Sequence, residues 1–353
     1  MNDGMKYSGN KISFELFGGS HQDRVGARFC GLEGKVDFDL LQKFVNKRRA
    51  SASVFSTQRI EDDKVIFDPP LSDGISGDGA LYFENKNVDS SSYCQNGILP
   101  RPSHGDYVQV VKYGKDADLR GGGKCSGRMT APITAIGGIC KQRLEERGIK
   151  IKAYISQVGR VVGESYQSKD FFDSPVEVLE GFPALSERSK NAFLEEISEA
   201  RGEGDSVGGA IECVIEGVPA GTGSTLFDSI EGLLSRMLFA IPGVKGVSFG
   251  SGFGLAVMKG SQANDSMYYD GDLIRTRTNH SGGINGGFAN GMPITFRLAV
   301  RPTPSISKEQ KTVNLESGRD QTLKIQGRHD ACILPRVVPV VEAVSAIVIY
   351  DIL

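Results

Sequence analysis

A glycine run flanked by cations, RGGGKCSGR at residues 120–128, is well suited to hold an anion. Glycines leave backbone N–H groups accessible, and N–H groups at the start of a helix bind phosphates and carboxylates. The run fits neither the P-loop pattern nor the GxGxxG dinucleotide pattern. A merely flexible loop is the alternative, but three cationic side chains within nine residues favour an anion-binding site that leads straight into a helix.

The four histidines all lie in short polar segments that are typical of loops. They are His21 after Gly19-Ser20, His104 in PSHGD, His280 in NHSG and His329 in RHD. Loops on a rigid scaffold often carry catalytic groups, and histidine exchanges protons near neutral pH. Neither HxH nor HExxH nor GxSxG occurs around them, so metal ligation and Ser–His hydrolysis are disfavoured and no metal site is predicted.

Further cationic segments accompany these histidines. They are residues 275–287 (RTRTNHSGGINGG), 301–305 (RPTPS), 327–330 (GRHD) and 47–49 (KRR). The last group ends a predicted helix, and pairing with the helix dipole explains it better when it is taken alone. Together the segments indicate a cationic, glycine-lined cavity for a ligand with several anionic groups, in which His and Asp side chains move protons. They do not identify the reaction.

The elements that must position these residues include many strands with one buried face. Apolar residues alternate with polar ones at residues 12–16, 211–216 and 294–301, a pattern that favours antiparallel pairing. Strands and helices do not alternate strictly along the chain. The predicted fold class is therefore α+β.

Helices are fewer than strands and are predicted at residues 38–49, 128–147, 187–201, 229–241 and 339–353. In the first of them, Leu40, Leu41, Phe44 and Val45 are expected on one side. The fourth is expected to open with Asp228 and Glu231 as a capping-box-like pair. The last is apolar nearly all round and should be buried.

Composition excludes several classes of protein. The 353 residues hold 41 Lys+Arg against 43 Asp+Glu, which disfavours a basic nucleic-acid binder and an acidic disordered chain. Six cysteines without a CxxC pair indicate reduced thiols. The N-terminus lacks the apolar core of a signal peptide and no apolar run is long enough to span a membrane, so a cytoplasmic protein is expected. Since no linker divides the chain, we expect one domain over residues 1–353.

The motifs resemble the chorismate synthase family in order, from about Ile12 to Asp351. The matching segments are residues 18–21 (GGSH), 101–107 (RPSHGDY), 120–131 (RGGGKCSGRMTA), 204–209 (GDSVGG), 217–221 (GVPAG), 244–247 (VKGV), 279–283 (NHSGG) and 327–332 (GRHDAC). All four histidines fall within or beside these matches.

The resemblance implies a reaction, a cofactor and an architecture. The reaction is the anti-1,4-elimination of phosphate from 5-enolpyruvylshikimate 3-phosphate to give chorismate, the last step of the shikimate pathway. The cofactor is reduced FMN, which lends electron density to the substrate, and NADPH is a possible source of its electrons. The architecture is a β-α-β sandwich with helices between antiparallel sheets, assembled as a homotetramer.

Residue roles follow from the same resemblance. His21 protonates the departing phosphate, His104 protonates or steadies the reduced flavin, and Asp330 with Ser20 assists proton removal at flavin N5. Substrate binding is assigned to Arg48, Arg128 and Arg59. FMN binding is assigned to Lys124, Cys125, Ser126, Pro242, Gly243, Gly286, Arg301, Pro302, Thr303, Pro304, Ser305 and Arg328.

The chain departs from the family pattern around the first histidine and after the arginine group. The departures are Gly19, Gln22, Ala50, Ser51, Val54 and the stretch 68–84. Arg59 is expected to replace the cation missing at Val54, so Arg59→Ala should raise the substrate KM. Two alternatives stay open: a lyase acting on a related phosphorylated cyclic acid, and a non-catalytic flavin- or anion-binding relative.

Overall fold

The computed structural model describes residues 5–49, 62–71, 74–86, 98–166, 176–325 and 329–353. Within these ranges the chain forms two five-stranded sheets, three two-stranded hairpins and a group of helices that pack between the two large sheets. Ala50, Ser51, Val54, Arg59 and Arg328 lie outside the described residues.

The first sheet comes from the N-terminal part of the chain. Its strands are β1 (Lys6–Ser8), β2 (Ser13–Gly18), β3 (Arg24–Lys35), β4 (Ile66–Asp68) and β5 (Gly74–Glu84). Their order is β1-β2-β3-β5-β4, and every neighbouring pair is antiparallel. Ile12 and Phe14 are buried, as their alternation predicts. A bulge between Phe29 and Leu32 shifts the register of β3, so both side chains reach the core.

The second sheet is also antiparallel throughout. Its strands are β6 (Lys150–Val158), β7 (Val161–Val162), β8 (Gly209–Glu216), β9 (Val244–Phe249) and β14 (Ile294–Val300), in the order β7-β6-β8-β14-β9. Ile211, Cys213 and Ile215 are buried on one face of β8. The predicted antiparallel strands at 211–216 and 294–301 are confirmed.

Three hairpins lie outside the two large sheets. They pair β10 (Met267–Asp270) with β11 (Leu273–Thr276), β12 (Ile284–Asn285) with β13 (Phe288–Ala289), and β15 (Gln310–Asn314) with β16 (Arg319–Leu323). The first carries several exposed apolar side chains, among them Met267 and Tyr269.

The helices are α1 (Phe38–Asn46), α2 (Asp106–Tyr113), α3 (Thr130–Glu145), α4 (Glu187–Gly202), α5 (Ile230–Leu238), α6 (Gly260–Ala263) and α7 (Leu334–Ile352). Two predictions are confirmed closely. Helix α4 covers the predicted residues 187–201 and one more, Gly202, and α3 lies within the predicted 128–147, two residues shorter at each end.

Three details of the helix predictions are wrong. Helix α1 ends at Asn46 rather than at residue 49, and Leu40 is 51% exposed because the buried stripe is centred on Leu41, Phe44 and Val45. Helix α5 is capped by Ser229, whose Oγ accepts from the Gly232 N–H at 3.1 Å, and not by Asp228. Helix α7 begins at Leu334, five residues before the predicted start.

Helices α3 and α7 form the centre of the molecule. Helix α3 contacts β3 and β5 of the first sheet, α7 contacts β6 and β8 of the second, and the two helices pack against each other. They approach closely at Gly137, where an added methyl group would overlap the backbone of Ala343. The α+β class with helices between antiparallel sheets is confirmed. Within the described ranges, no helix has both the length and the apolar character that crossing a bilayer requires.

Candidate active site

A cavity of about 640 Å³ opens where the ends of several elements meet. Its wall is formed by the loop after β2, the end of α1, the segment before α2, the glycine run, the segment before β9, the segment after β14 and the start of α7. It holds both cationic and proton-exchanging side chains, as the sequence predicts.

The glycine run forms one wall of this cavity. Residues Arg120–Cys125 form a short 3₁₀ segment interrupted by glycines with non-helical backbone, and Gly127–Met129 form a 3₁₀ turn that continues into α3 at Thr130, so the run leads into a helix as expected. Gly121 and Gly122 have φ of +60° and +107°. A side chain on Gly121 would overlap the His21 ring, and one on Gly122 would press on the His104 ring. The glycines therefore let both imidazoles lie against the backbone.

Ser20 and His21 lie in a turn that Asn85 holds in place. Asn85 Nδ2 donates to the carbonyl oxygens of Gly19 and Gln22 at 3.0 and 2.6 Å. Its Oδ1 accepts from Arg128 Nε at 2.9 Å. The turn that carries His21 is therefore tied directly to one of the predicted substrate arginines.

Arg48 and Arg128 share one buried carboxylate, that of Asp63. Arg48 Nη1 donates to Asp63 Oδ2 at 3.0 Å, and Arg128 Nη1 donates to Asp63 Oδ1. Arg48 also donates from Nε to Thr130 Oγ1 at 3.0 Å. Burial lowers the pKa of Arg48 to about 9, and the charge of Asp63 opposes that shift. The cavity therefore holds two arginines whose positions are fixed before any ligand binds.

His104 is held by a buried Arg101–Asp106 pair. Arg101 donates from Nε to Asp106 Oδ2 at 2.7 Å and from Nη2 to Oδ1 at 2.8 Å. His104 Nδ1 lies 2.8 Å from Asp106 Oδ1. Burial would raise the pKa of the Asp106 carboxyl, but hydrogen bonds from Arg101 and His104 outweigh it and hold that pKa well below its usual value.

Asp330 lies beside the start of α7 and faces the same cavity. Its Oδ2 accepts from Arg336 Nη1 at 2.9 Å, and Arg336 Nε donates to the Arg48 carbonyl at 3.3 Å. Thr303 Oγ1 donates to the Asp330 carbonyl at 2.7 Å. Arg336 thus connects the predicted proton-transfer carboxylate to the predicted substrate arginine.

Most of the predicted FMN residues line the same cavity. They are Lys124, Cys125, Ser126, Pro242, Gly243, Arg301, Pro302, Thr303 and Pro304. Ser305 is set back from the wall, and its Oγ accepts from Arg101 Nη1 at 3.3 Å. Gly286 lies in the turn between β12 and β13 and does not line the cavity.

The donor set on this wall fits an anionic nucleotide. Lys124 and Arg301 provide cations, and Lys245 adds a third. Arg301 Nη1 donates to the Ser103 carbonyl at 2.6 Å, which orients its side chain next to the segment that carries His104. The cavity volume of about 640 Å³ falls within the range of about 300–1,000 Å³ common for small-molecule sites.

The other two histidines do not line the cavity. His280 Nδ1 lies 2.8 Å from Ser251 Oγ, and its backbone N–H donates to Asp265 Oδ1 at 2.7 Å. His329 directly precedes Asp330 in the sequence but does not line the cavity, and burial lowers the pKa of its imidazole. The cationic segment 275–287 therefore forms β11–β13 and their connections, and it does not line this cavity.

Sequence reasoning missed four charged residues of the wall: Asp63, Arg336, Arg49 and Lys245. Lys245 lies in the segment 244–247 and Arg49 in the segment 47–49, but neither residue is assigned a role from the sequence. Arg336 lies shortly before residue 339, the predicted start of the last helix. Nothing in the local spacing singles out Asp63.

Comparison with known proteins identifies the family of this chain. The family model described as chorismate synthase matches residues 12–353. A chorismate synthase of Dehalococcoides mccartyi (strain 195) is 40% identical over 347 residues, covering 97% of this chain and 95% of the relative. One from Thermococcus kodakarensis is 41% identical over 352 residues, covering 97% and 96%. A crystal structure of chorismate synthase superposes with a TM-score of 0.72 at 24% identity, covering 98% of this chain and 92% of that one. The chain belongs to the chorismate synthase family.

Proposed function

We propose that this chain is a lyase that eliminates phosphate from 5-enolpyruvylshikimate 3-phosphate to give chorismate, with reduced FMN as its cofactor. In this reaction the C–O bond to phosphate and one ring C–H bond break, and a ring C=C bond forms. The proposal is supported above all by the cavity in which His21, His104 and Asp330 lie around one space beside buried arginines.

The arginines are suited to the anionic groups of this substrate, a phosphate and two carboxylates. Arg48 and Arg128 have fixed guanidinium planes that can present paired donors. Arg59, which lies outside the described residues, is proposed to complete the set. Because the guanidinium groups are already positioned by Asp63 and Asn85, binding loses little side-chain entropy.

The proton-exchanging residues take separate roles. His21 donates a proton to the departing phosphate, whose charge grows as the C–O bond breaks. His104 holds a proton next to the cofactor and so offsets its negative charge. With the cofactor bound, Asp330, together with Ser20, would accept a proton at flavin N5. Reduced FMN, when bound, supplies electron density to the substrate ring.

Cofactor binding is assigned to the rest of the cavity wall. Lys124, Arg301 and Arg328 are proposed to hold the cofactor's phosphate, and residues 125–126, 242–243 and 302–304 would line the rest, with Ser305 behind them. Gly286 is proposed to reach the cofactor of a neighbouring copy, since it lies away from the cavity of its own chain. The reduced flavin is proposed to come from an external reductant, with reduction by NADPH on this chain as the alternative.

A homotetramer in the cytoplasm is the proposed working form. Large apolar side chains are exposed on one chain, including Phe227 at 93%, Phe253 at 90% and Val257 at 88%. Phe253 and Val257 lie in one short 3₁₀ segment, Gly252–Val257, and an exposed apolar patch is typical of a surface that binds another chain. Light scattering on the purified protein gives the mass of the assembly directly.

Anaerobic turnover tests the function. The purified protein is mixed with 5-enolpyruvylshikimate 3-phosphate and chemically reduced FMN, and chorismate and phosphate are followed together. We expect equimolar release that stops in air or with oxidised FMN. FMN binding without release would favour the non-catalytic relative, and release from another phosphorylated cyclic acid alone would favour the related lyase.

A further inference from the structure

We propose that Asp106 is a positioning residue that holds His104 in the Nδ1–H tautomer, so that Nε2 is left to exchange protons with the cavity. Asp106 is fully buried, and its Oδ1 lies 2.8 Å from His104 Nδ1. The consequence for catalysis rests on the proposed role of His104, whereas the tautomer itself is a property of the chain alone.

The two neighbours of His104 Nδ1 decide which atom carries the proton. Asp106 Oδ1 lies at 2.8 Å and Arg101 Nη2 at 3.1 Å. A carboxylate oxygen can only accept, so an unprotonated Nδ1 would place two lone pairs against each other at the shorter distance. Arg101 already directs Nε and Nη2 at the Asp106 carboxylate. The geometry therefore favours Nδ1–H donating to Asp106.

The acceptor is itself fixed at the first residue of α2. The Arg101 backbone N–H donates to Asp106 Oδ2 at 3.0 Å, in addition to the two side-chain bonds from the same residue. These bonds keep Asp106 ionised and stop its carboxylate from rotating. Arg101 Nη1 reaches Ser305 Oγ at 3.3 Å, which links the pair to the segment after β14.

The opposite edge of the ring faces the glycine run. A side chain on Gly122 would lie 3.2 Å from His104 Cε1 and 3.5 Å from Nε2. With hydrogen at Gly122, that edge borders the cavity instead of a neighbouring side chain. The partner at one ring nitrogen sets the state of the other, so with Nδ1–H donated to Asp106 it is Nε2 that is left to exchange protons at the cavity.

Solid-state NMR on the ligand-free protein tests the tautomer. The protein is labelled with ¹³C,¹⁵N-histidine, and the four histidines are few enough to assign His104 by its loss in His104→Gln. Spectra are taken at pH about 9, above the ordinary histidine range. We expect Nδ1–H in the wild type and Nε2–H in Asp106→Ala, with no change in Asp116→Ala, a matched substitution at an exposed carboxylate of the turn after α2.

The wild-type spectrum alone is decisive, because Nε2–H there would overturn the proposal even if Asp106→Ala failed to fold. A folded Asp106→Ala that keeps Nδ1–H would also overturn it. Turnover gives an independent reading: Asp106→Asn should lower kcat by about 10²–10⁴-fold with little change in substrate KM. If the wild type makes no chorismate, the proposed function fails while the NMR result still decides the role of Asp106.

Discussion

The carboxylate of Asp63 contacts two guanidinium groups, those of Arg48 and Arg128, and all three side chains are almost wholly buried. Removing its charge leaves two buried cations without a counter-ion, the situation in which losing one partner costs most. We predict that Asp63→Asn lowers the free energy of unfolding by about 3–5 kcal/mol. Urea unfolding of the ligand-free protein measures it.

The adjacent Asp62 offers a matched control. Its side chain is 75% exposed and lies 3.7 Å from Lys86 Nζ in a surface ion pair. We expect Asp62→Asn to change stability by less than about 0.5 kcal/mol. Equal effects of the two substitutions would mean that Asp63 is not the counter-ion of the arginines.

His104 has a single proposed catalytic role, and one substitution tests it. We predict that His104→Ala folds and still binds FMN, because Lys124, Arg301 and the glycine run are untouched, but lowers kcat by about 10²–10⁴-fold. A flavin titration and anaerobic steady-state kinetics measure the two properties. His280→Ala, outside the cavity wall, should keep its turnover; a fully active His104→Ala would contradict the assigned role.

Sequence reasoning succeeds at the residue level where function depends on a local motif. His21, His104 and Arg128 stand in short segments whose residue types already suit anions and protons, and all three line the cavity. Asp63 and Arg336 gain their roles from contacts with residues distant in the chain: Arg336 bonds to the carbonyl of a residue 288 positions away. No window of sequence contains that information.

At the level of elements, the glycine run positions both cavity histidines. Gly121→Ala would place a methyl group into the His21 ring at a backbone φ of +60°. We predict a strong loss of kcat together with a loss of stability, because the ring must move and the left-handed backbone is strained for alanine. Kinetics and thermal unfolding of the same preparation measure both effects.

Gly148, just after α3, separates these two causes. Its φ is +79°, also in the left-handed range, but an added methyl group meets nothing within 4 Å. Gly148→Ala should therefore lose about 1 kcal/mol of stability and keep its kcat. If both variants lose activity alike, backbone strain and not displacement of His21 is responsible.

The start of a helix could be predicted where one residue was the only good N-cap, and could not be predicted where two neighbouring residues were both good N-caps. Ser186 is the N-cap of α4, which begins at the predicted residue 187 and ends one residue beyond the predicted 201. Asp228 and Ser229 are both good caps, and the backbone placed by the preceding turn selects Ser229. The start of α7 was missed because a proline inside a helix is unusual, which favours Pro339 as its first residue; in the structure Pro339 lies inside α7 and Pro335 occupies the first turn.

At the scale of the whole molecule, the fold class could be predicted because the pattern that determines it recurs in many segments along the chain. Alternating strands and few helices require sheets that each bury one face, and helices between two such sheets bury both. The pairing order, β1-β2-β3-β5-β4 in one sheet and β7-β6-β8-β14-β9 in the other, could not be predicted. Strand order depends on contacts between strands such as β8 and β14, which lie far apart in sequence.

The stability of the whole molecule should depend on its ionised carboxylates. Burial raises the pKa of Asp106 and Asp265, but hydrogen bonds outweigh it, and Arg120 lowers the pKa of Asp118. A carboxyl whose pKa is lower in the folded state binds fewer protons there than when unfolded. Its contribution to the free energy of unfolding is therefore complete above the unfolded-state pKa of about 4. That contribution is lost as the pH falls towards the folded-state pKa.

We predict that the free energy of unfolding is steady at neutral pH and falls steeply below pH about 4. Asp106→Asn, which cannot ionise, should start from a lower stability and fall less steeply over the same range. Urea unfolding at a series of pH values measures both slopes, with Asp116→Asn as the exposed control. Parallel slopes for the wild type and Asp106→Asn would mean that folding does not lower the pKa of the Asp106 carboxyl, and would contradict the prediction.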